Sequence, residues 1–161
     1  MILITVGSAT YSFERLFRII DELCDEGLLN GQDVVGQCGC TKYVPKNYKV
    51  FDMIESNEFK KMINKSDVII CHSGVGTIIN AIEKGKKVIV FPRLKKYKEH
   101  GDDHQIEIAE MFSNNNYVKC ASSKKELIEI IENIESFIPN KYVSNCDKIN
   151  NLIIDFIEKG D

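Results

Sequence analysis

The sequence predicts an α/β protein with a Rossmann-like, doubly wound parallel sheet of about six strands. Strand-like and helix-like segments alternate along the chain, which is typical of βαβ units. Runs such as Val68–Cys71 are continuously apolar, as expected for strands that are buried on both faces of a sheet. Glycines and helix-capping residues separate these segments. In such a fold the crossovers are right-handed, and ligands bind beyond the carboxyl ends of the strands.

Six apolar runs predict the strands in order. They are residues 2–6, 33–38, 48–51, 68–71 and 88–91, and a run that begins at residue 117. The loops that follow residues 6, 38, 71 and 91 leave the carboxyl ends of their strands. We therefore expect a ligand to bind at these loops.

Apolar residues at helical spacing predict a helix after most strands, around residues 13–23, 59–63, 78–82 and 108–112. Gly27 and Gly85 end the first and third of these helices. Two helices finish the chain, at about 123–136 and 145–159. Ser122 or Ser123 can cap the former, and Glu126 completes a capping box for Ser123. We expect a single domain over residues 1–161.

Charge and hydropathy exclude two classes of function. The formal net charge is −3, so the chain lacks the excess of positive charge that would indicate binding to nucleic acid. The apolar runs are far shorter than the roughly 20 residues that cross a bilayer. No Lys or Arg precedes the first apolar run, which stops at Gly7 and predicts a strand rather than a signal peptide. A cytoplasmic protein is expected.

The six cysteines lie mostly within strand or helix patterns, which favours reduced, buried thiols. Cys38 and Cys40 form a Cys-x-Cys pair, but no second pair follows, so the cysteines give little support for a zinc site.

The sharpest motif directly follows the fourth strand and opens a helix. It consists of His72, Ser73, Gly74, Val75, Gly76 and Thr77. Two glycines let backbone N–H groups approach a ligand, and the helix start adds unpaired donors and partial positive charge. This arrangement favours a phosphate or diphosphate, although a tight turn without a ligand is the alternative. Ile79 occupies the position of the third dinucleotide-fingerprint glycine, which argues against NAD.

The second motif is the long polar loop from residue 91 to residue 105. It carries Arg93, His100 and His104, and Asp102 or Asp103 can cap the helix that follows. That helix start is expected to point His104 and Gln105 toward the crevice at Gly74. The alternative is a solvated loop without a function, because runs of charged residues usually lie in solvent.

Two weaker motifs end other strands. They are Gly7-Ser8 after the first strand, where Ser12 could cap the next helix, and Gln37-Cys38-Gly39 after the second. Their expected position on the same sheet edge as the glycine turn strengthens both.

These motifs, in this order and spacing, resemble the C-terminal domain of glycosyltransferase family 28. The resemblance rests on residues 66–77, Ala81, residues 85–92, Asp103-His104-Gln105 and Ala109-Glu110, with the earlier Val6-Gly7 and Gln37–Gly39 signatures. Members of the family have two Rossmann-like domains of the GT-B type, of which the C-terminal one holds the UDP-sugar. The chain is similar to stand-alone donor subunits, those of bacterial capsule and exopolysaccharide synthesis more than the cytosolic subunit of the eukaryotic dolichol-pathway transferase.

The resemblance implies a UDP-sugar donor, a lipid-linked sugar acceptor and a membrane-bound, acceptor-binding partner subunit that recruits this chain to the inner face of the membrane. The donor-binding residues that it implies are Gly7, Ser8, Gln37, Gly39, His72, Ser73, Gly74, Val75, Gly76, Thr77, Asn80, Arg93, His104 and Gln105. Asn80 departs from the family, which often has a ribose-binding Glu there.

The implied mechanism is inverting transfer without a covalent intermediate. The general base is expected on the partner, with His104 touching the phosphate or sugar and His100 and Asp103 as substitute candidates for the base. No Asp-x-Asp occurs, so no metal is expected. The helix at 145–159 would reach the partner; the alternative is that its apolar stripe covers this domain's own sheet.

Two alternatives stay open at this point. The Asn80 substitution leaves room for a non-catalytic enhancer subunit, and the Rossmann-like fold leaves room for an unrelated nucleotide-binding enzyme.

Overall fold

The computed structural model describes residues 1–8 and 10–143, and the helix expected at 145–159 lies outside them. This part of the chain contains six strands and five helices of four residues or more, which alternate except that the third strand follows the second directly. The strands are β1 Ile2–Thr5, β2 Val34–Gln37, β3 Lys49–Phe51, β4 Val68–Cys71, β5 Lys87–Val90 and β6 Lys119–Cys120. The helices are α1 Glu14–Asp25, α2 Ser56–Lys65, α3 Val75–Ile82, α4 His104–Asn114 and α5 Lys124–Asn133.

The strands form one six-stranded sheet in the order β3-β2-β1-β4-β5-β6. Every pairing is parallel, and β1 pairs with both β2 and β4 in register from Ile2. The strand order reverses between β1 and β4, which is the switch point where ligands of such sheets bind. The Rossmann-like, doubly wound parallel sheet predicted from the sequence is confirmed.

Successive residues of a strand point to opposite sides of the sheet, so both faces carry apolar side chains. Helices cover both of these faces. Ile4, Ile70 and Ile89 pack with α1 and α5 in one buried cluster. Leu3, Ile69 and Val88 pack with α2, α3 and α4 in the other. This double burial explains why β4 is apolar throughout: all four of its residues are buried.

The sixth strand begins later than its sequence pattern predicts. Val118 is buried, but pairing with β5 begins only at Lys119, opposite Ile89. The chain needs the residues after α4 for a turn, in which Asn116 adopts a left-handed conformation with φ of 55°. Residues 117 and 118 therefore return the chain to the sheet edge.

Helix starts were predicted partly correctly. Ser123 caps α5 by accepting a hydrogen bond from the Glu126 N–H. The Glu126 carboxylate accepts from the N–H of Ser122 rather than Ser123, so the capping box is closed one residue earlier than expected. Ser12 does not cap α1; the hydroxyl of Thr41, from a distant loop, accepts from the Phe13 N–H instead.

Among the residues that the structure describes, no helix has both the length and the apolar character needed to cross a bilayer.

Candidate functional site

The motif after β4 forms the predicted strand-to-helix turn. β4 ends at Cys71, Gly74 occupies the position before the helix in extended conformation, and α3 begins at Val75. The N–H groups of Val75 and Gly76 open the helix and have no intrahelical acceptor. Gly76 is exposed, and a Cβ built on it would meet nothing within 4 Å. The turn therefore presents backbone donors and the positive end of α3 to open space.

The His72 imidazole is packed between two glycines from different loops. A Cβ on Gly7 would lie 2.7 Å from His72 Cε1, and a Cβ on Gly74 would overlap the same ring. Gly7 also has a φ of 68°, which favours glycine. The two loops approach this closely because neither glycine has a side chain. The structure thus brings together the predicted motifs at the ends of β1 and β4.

His72 is neutral in the folded protein. Burial lowers the pKa of His72 to about 4, and the positive charge of Arg93 contributes to the shift. Its Nδ1 and the nearby Ser73 hydroxyl are buried without a hydrogen-bond partner among the described residues. Unpartnered buried polar groups are costly, so these two side chains are candidates for contact with a ligand. The positive potential of the turn comes from α3 and Arg93 rather than from the imidazole.

The low pKa of His72 predicts acid sensitivity. Between pH 6.5 and 4 the unfolded chain binds a proton at this position that the folded chain does not, so stability falls as the pH falls through this window. We expect the wild-type protein to lose about 3 kcal/mol more free energy of unfolding than His72→Gln between pH 7 and pH 4. Urea denaturation at both pH values measures the difference; parallel losses in the two proteins would refute the assignment.

A crevice of about 280 Å³ adjoins the turn at the carboxyl edge of the sheet. Thr77 of α3 and Gly7 and Ser8 of the first loop line it together with Gln37 from the end of β2. The remaining lining residues are Thr5, Met53, Ile54, Ser56 and Phe59. One side of the crevice is thus polar and the other apolar, which suits an aromatic base next to a phosphate.

Sequence reasoning missed the apolar side of this crevice. Met53 and Ile54 follow β3, and Phe59 lies on α2. The signal was present, because the loop after β3 leaves the same edge of a parallel sheet as the loops that were considered. Met53 is 59% exposed, and Gln37 Nε2 lies 3.0 Å from its sulfur, which joins the apolar lining residues to the polar ones.

Gln37, the last residue of β2, lines the crevice, and Gly39 packs against the loop after β1. The buried Thr5 hydroxyl donates to Gln37 Oε1 at 2.7 Å, and Gln37 Nε2 donates to the Gly7 carbonyl oxygen. A Cβ on Gly39 would lie 2.7 Å from that same carbonyl oxygen. The loops after β1 and β2 are therefore locked together.

Arg93 lies beneath the site rather than at its surface. The side chain is fully buried, and its guanidinium lies 4.7 Å from the centre of the Phe13 ring. Its terminal nitrogens donate to four carbonyl oxygens on three segments, those of Val6, Tyr11, Ser12 and Glu99. We call this set of hydrogen bonds the Arg93 clamp. It holds the loop after β5 against the loop after β1.

The polar loop is ordered by its own side chains. Gln105 is buried, and its Oε1 accepts a hydrogen bond from the Arg93 N–H. The Asp103 carboxylate accepts from the Lys95 N–H, while Asp102 accepts from the His104 N–H at the start of α4. Of the two proposed caps, Asp102 therefore makes the bond. The interpretation as a wholly solvated loop is wrong.

His100 and His104 lie next to each other in this loop. Their ring centres are 4.6 Å apart, and His100 also packs against Tyr11. Asp102, rather than Asp103, contacts both imidazoles. His104 is about half exposed.

Asn80 lies one turn after Thr77 on α3, so the two residues share a face of the helix. Its Oδ1 accepts a hydrogen bond from Lys84 Nζ at 2.8 Å.

A parallel sheet with a glycine-bearing turn and a two-sided crevice at its switch point is the arrangement of a Rossmann-like domain. The sequence model of the glycosyltransferase family 28 C-terminal domain matches residues 1–153. The chain belongs to this family.

Curated relatives support the assignment. The chain is 35% identical over 98 residues to the UDP-N-acetylglucosamine transferase subunit ALG13 of Candida albicans, covering 61% of this chain and 31% of that protein. It is 29% identical over 114 residues to ALG13 of Candida glabrata, covering 65% and 56%. The chain is thus a glycosyltransferase domain homologous to ALG13, and it spans about a third of the length of the Candida albicans relative.

Solved structures show the same fold. An NMR structure of ALG13 superimposes with a TM-score of 0.60 at 23% identity, covering 98% of this chain and 96% of that one. MurG of Acinetobacter baumannii superimposes with a TM-score of 0.58 at 18% identity, covering 84% of this chain and 42% of MurG. The six-stranded parallel sheet therefore corresponds to the C-terminal half of a GT-B protein.

Proposed function

We propose that this chain is the donor-binding subunit of a two-subunit, inverting glycosyltransferase. The observation that carries the proposal is the turn at the start of α3, where exposed Gly76 and free backbone donors adjoin a crevice suited to a base. The name of the homologous ALG13 protein, a UDP-N-acetylglucosamine transferase subunit, supports both a UDP-sugar donor and a second subunit.

The diphosphate binds at the turn. The N–H groups of Val75 and Gly76 point out of the helix start, and the hydroxyls of Ser73 and Thr77 lie in the same segment. Fixed donors of this kind stabilise negative charge that develops on the leaving diphosphate. The reaction needs no metal for this step.

The nucleoside binds next to the diphosphate. Thr77 belongs both to the turn and to the crevice, so a nucleotide can extend from one to the other. The uracil ring packs against Met53, Ile54 and Phe59, and the ribose lies near Asn80. His104 begins α4, and we assign it to contact with the sugar or a phosphate.

The acceptor half comes from a membrane-bound partner. The sugar is of the galactose or N-acetylglucosamine type, and the acceptor is a lipid-diphosphate-linked sugar of capsule or exopolysaccharide synthesis. The partner supplies the general base and recruits this cytoplasmic chain to the inner face of the membrane. On this chain, His100 and Asp103 are the substitute candidates; the Asp103 carboxylate already accepts from Lys95.

One observation favours a second candidate, a non-catalytic enhancer subunit. The Asn80 amide oxygen is engaged by Lys84, and an amide binds ribose hydroxyls less strongly than a carboxylate does. An enhancer would bind the partner without binding UDP.

The test is binding and turnover with the purified chain, with and without its partner. We expect UDP to bind the chain alone and NAD not to bind, as measured by calorimetry. We expect negligible transfer by the chain alone, because half of a cleft cannot position an acceptor, and turnover when the partner is added.

A panel of UDP-sugars then identifies the donor. Binding of NAD in place of UDP would remove the donor assignment. Turnover by the chain alone on a lipid-diphosphate sugar would refute the split enzyme, and partner binding without UDP binding would favour the enhancer.

A further inference from the structure

Three metal-ligating side chains converge on the loop before α4. They are His100, Asp102 and His104, and one ligand atom from each lies within 4.8 Å of the other two. The His100 Nδ1 lies 3.1 Å from Asp102 Oδ1, and the His104 Nδ1 contacts the same oxygen. Nothing in the proposed donor site uses these three groups together.

The geometry of these three side chains suits a bound cation. Two imidazole Nδ1 atoms face a single carboxylate oxygen, and the His104 N–H also donates to it. A neutral imidazole offers either a proton or a lone pair at Nδ1. A dication placed among the three groups is coordinated by both ring lone pairs and by the carboxylate at once.

The loop is already held in shape, so binding need not order it. The Glu99 carbonyl oxygen accepts from Arg93, and the Glu99 carboxylate accepts from the Leu94 N–H and pairs with Arg15 at 2.8 Å. The hydrogen bond from the Lys95 N–H to the Asp103 carboxylate holds the end of the loop that precedes α4. Preorganised ligands bind more tightly because less conformational entropy is lost.

We propose that His100, Asp102 and His104 bind a transition-metal dication of the zinc class. Two imidazoles and one carboxylate suit Zn²⁺, whereas Mg²⁺ prefers an all-oxygen set. Three protein ligands leave a fourth position open, as in zinc sites that accept an exogenous ligand. The proposal differs from the sequence-based expectation, in which no metal was expected and zinc was considered only for Cys38 and Cys40.

The site is joined to the loop after β1, which lines the donor crevice, because the His100 ring packs on Tyr11 and the Tyr11 carbonyl oxygen accepts from Arg93. A bound dication would add positive charge beside the place proposed for the diphosphate. This consequence rests on the proposed function, whereas the metal site itself does not.

The experiment is a titration of the full-length, metal-free chain with Zn²⁺ in the absence of nucleotide. The chain has three histidines, so NMR of the imidazole nitrogens resolves each of them. We expect the His100 and His104 signals to shift with one equivalent of Zn²⁺ and the His72 signals to stay. Mg²⁺ should shift none of them.

Variants assign the ligands. Changing a second-shell partner typically weakens metal binding about 10–100-fold, so we expect His100→Ala and His104→Ala each to weaken it at least about 100-fold. Asp102→Asn should weaken it at least about tenfold. Glu107→Gln, an exposed acid on the first turn of α4, and Cys40→Ser, which removes an exposed thiol, should bind as the wild type does.

The melting temperature of each variant confirms that the fold is retained. Zn²⁺ binding that survives His104→Ala and is lost in Cys40→Ser would overturn the site, as would imidazole signals that stay unchanged in excess Zn²⁺. Because no nucleotide is present, failure here leaves the donor assignment unaffected.

Discussion

Replacing Gly76 with valine is expected to abolish UDP binding and to leave the fold intact. Gly76 is exposed at the second position of α3, and a Cβ there meets nothing within 4 Å, so the protein itself accommodates the new side chain. The branched side chain would occupy the space proposed for the diphosphate. We expect affinity for UDP to fall at least about 100-fold, or roughly 2.7 kcal/mol, by calorimetry.

A graded series makes this result specific. Gly76→Ala adds one methyl group and should weaken UDP binding less than valine does. Chemical denaturation should show no loss of stability for either variant, since both residues have higher helix propensity than glycine. A folded Gly76→Val protein with wild-type affinity for UDP would show that this turn is not the phosphate site.

Replacing Arg93 with methionine is expected to cost about 3–5 kcal/mol of stability. The substitution removes the Arg93 clamp and leaves buried carbonyl oxygens on three segments without their charged donor. Methionine fills much of the volume, so the loss reports hydrogen bonding rather than a cavity. Burial lowers the pKa of Arg93 to about 10, so the side chain stays charged at neutral pH.

Urea denaturation measures the loss, with Lys96→Met as the matched control. Lys96 lies on the same loop but is exposed, and its replacement should change stability by less than about 0.5 kcal/mol. An Arg93→Met protein within about 1 kcal/mol of the wild type would mean that the clamp contributes little to the fold.

The sheet and the anion-binding turn could be predicted from sequence because their signals are local. Val68–Cys71 is apolar at every position and is followed at once by glycines and a helix, so strand, turn and helix can be read from adjacent residues. The order of the motifs then placed them on one edge of a parallel sheet.

The partners of individual polar side chains could not be predicted, because they depend on distant segments. Arg93 was expected to contact the ligand, and instead it donates to carbonyl oxygens up to 87 residues away in the sequence. The Phe13 N–H in front of α1 donates to Thr41, from a distant loop, and the neighbouring Ser12 does not cap the helix. Neither hydrogen-bond partner can be inferred from the neighbouring residues, since both depend on which loops the fold brings into contact.

The clamp has a consequence for redesign and for evolutionary change in this domain. The buried Arg93 guanidinium fixes the loops after β1 and β5 through their main-chain carbonyl oxygens. Substitutions of exposed side chains on those loops therefore leave the course of the loops unchanged. The segment after β3 lies outside the clamp and carries Met53 and Ile54. Side chains in this segment can therefore change, and with them the ligand preference proposed for the crevice, while the loops after β1 and β5 keep their course.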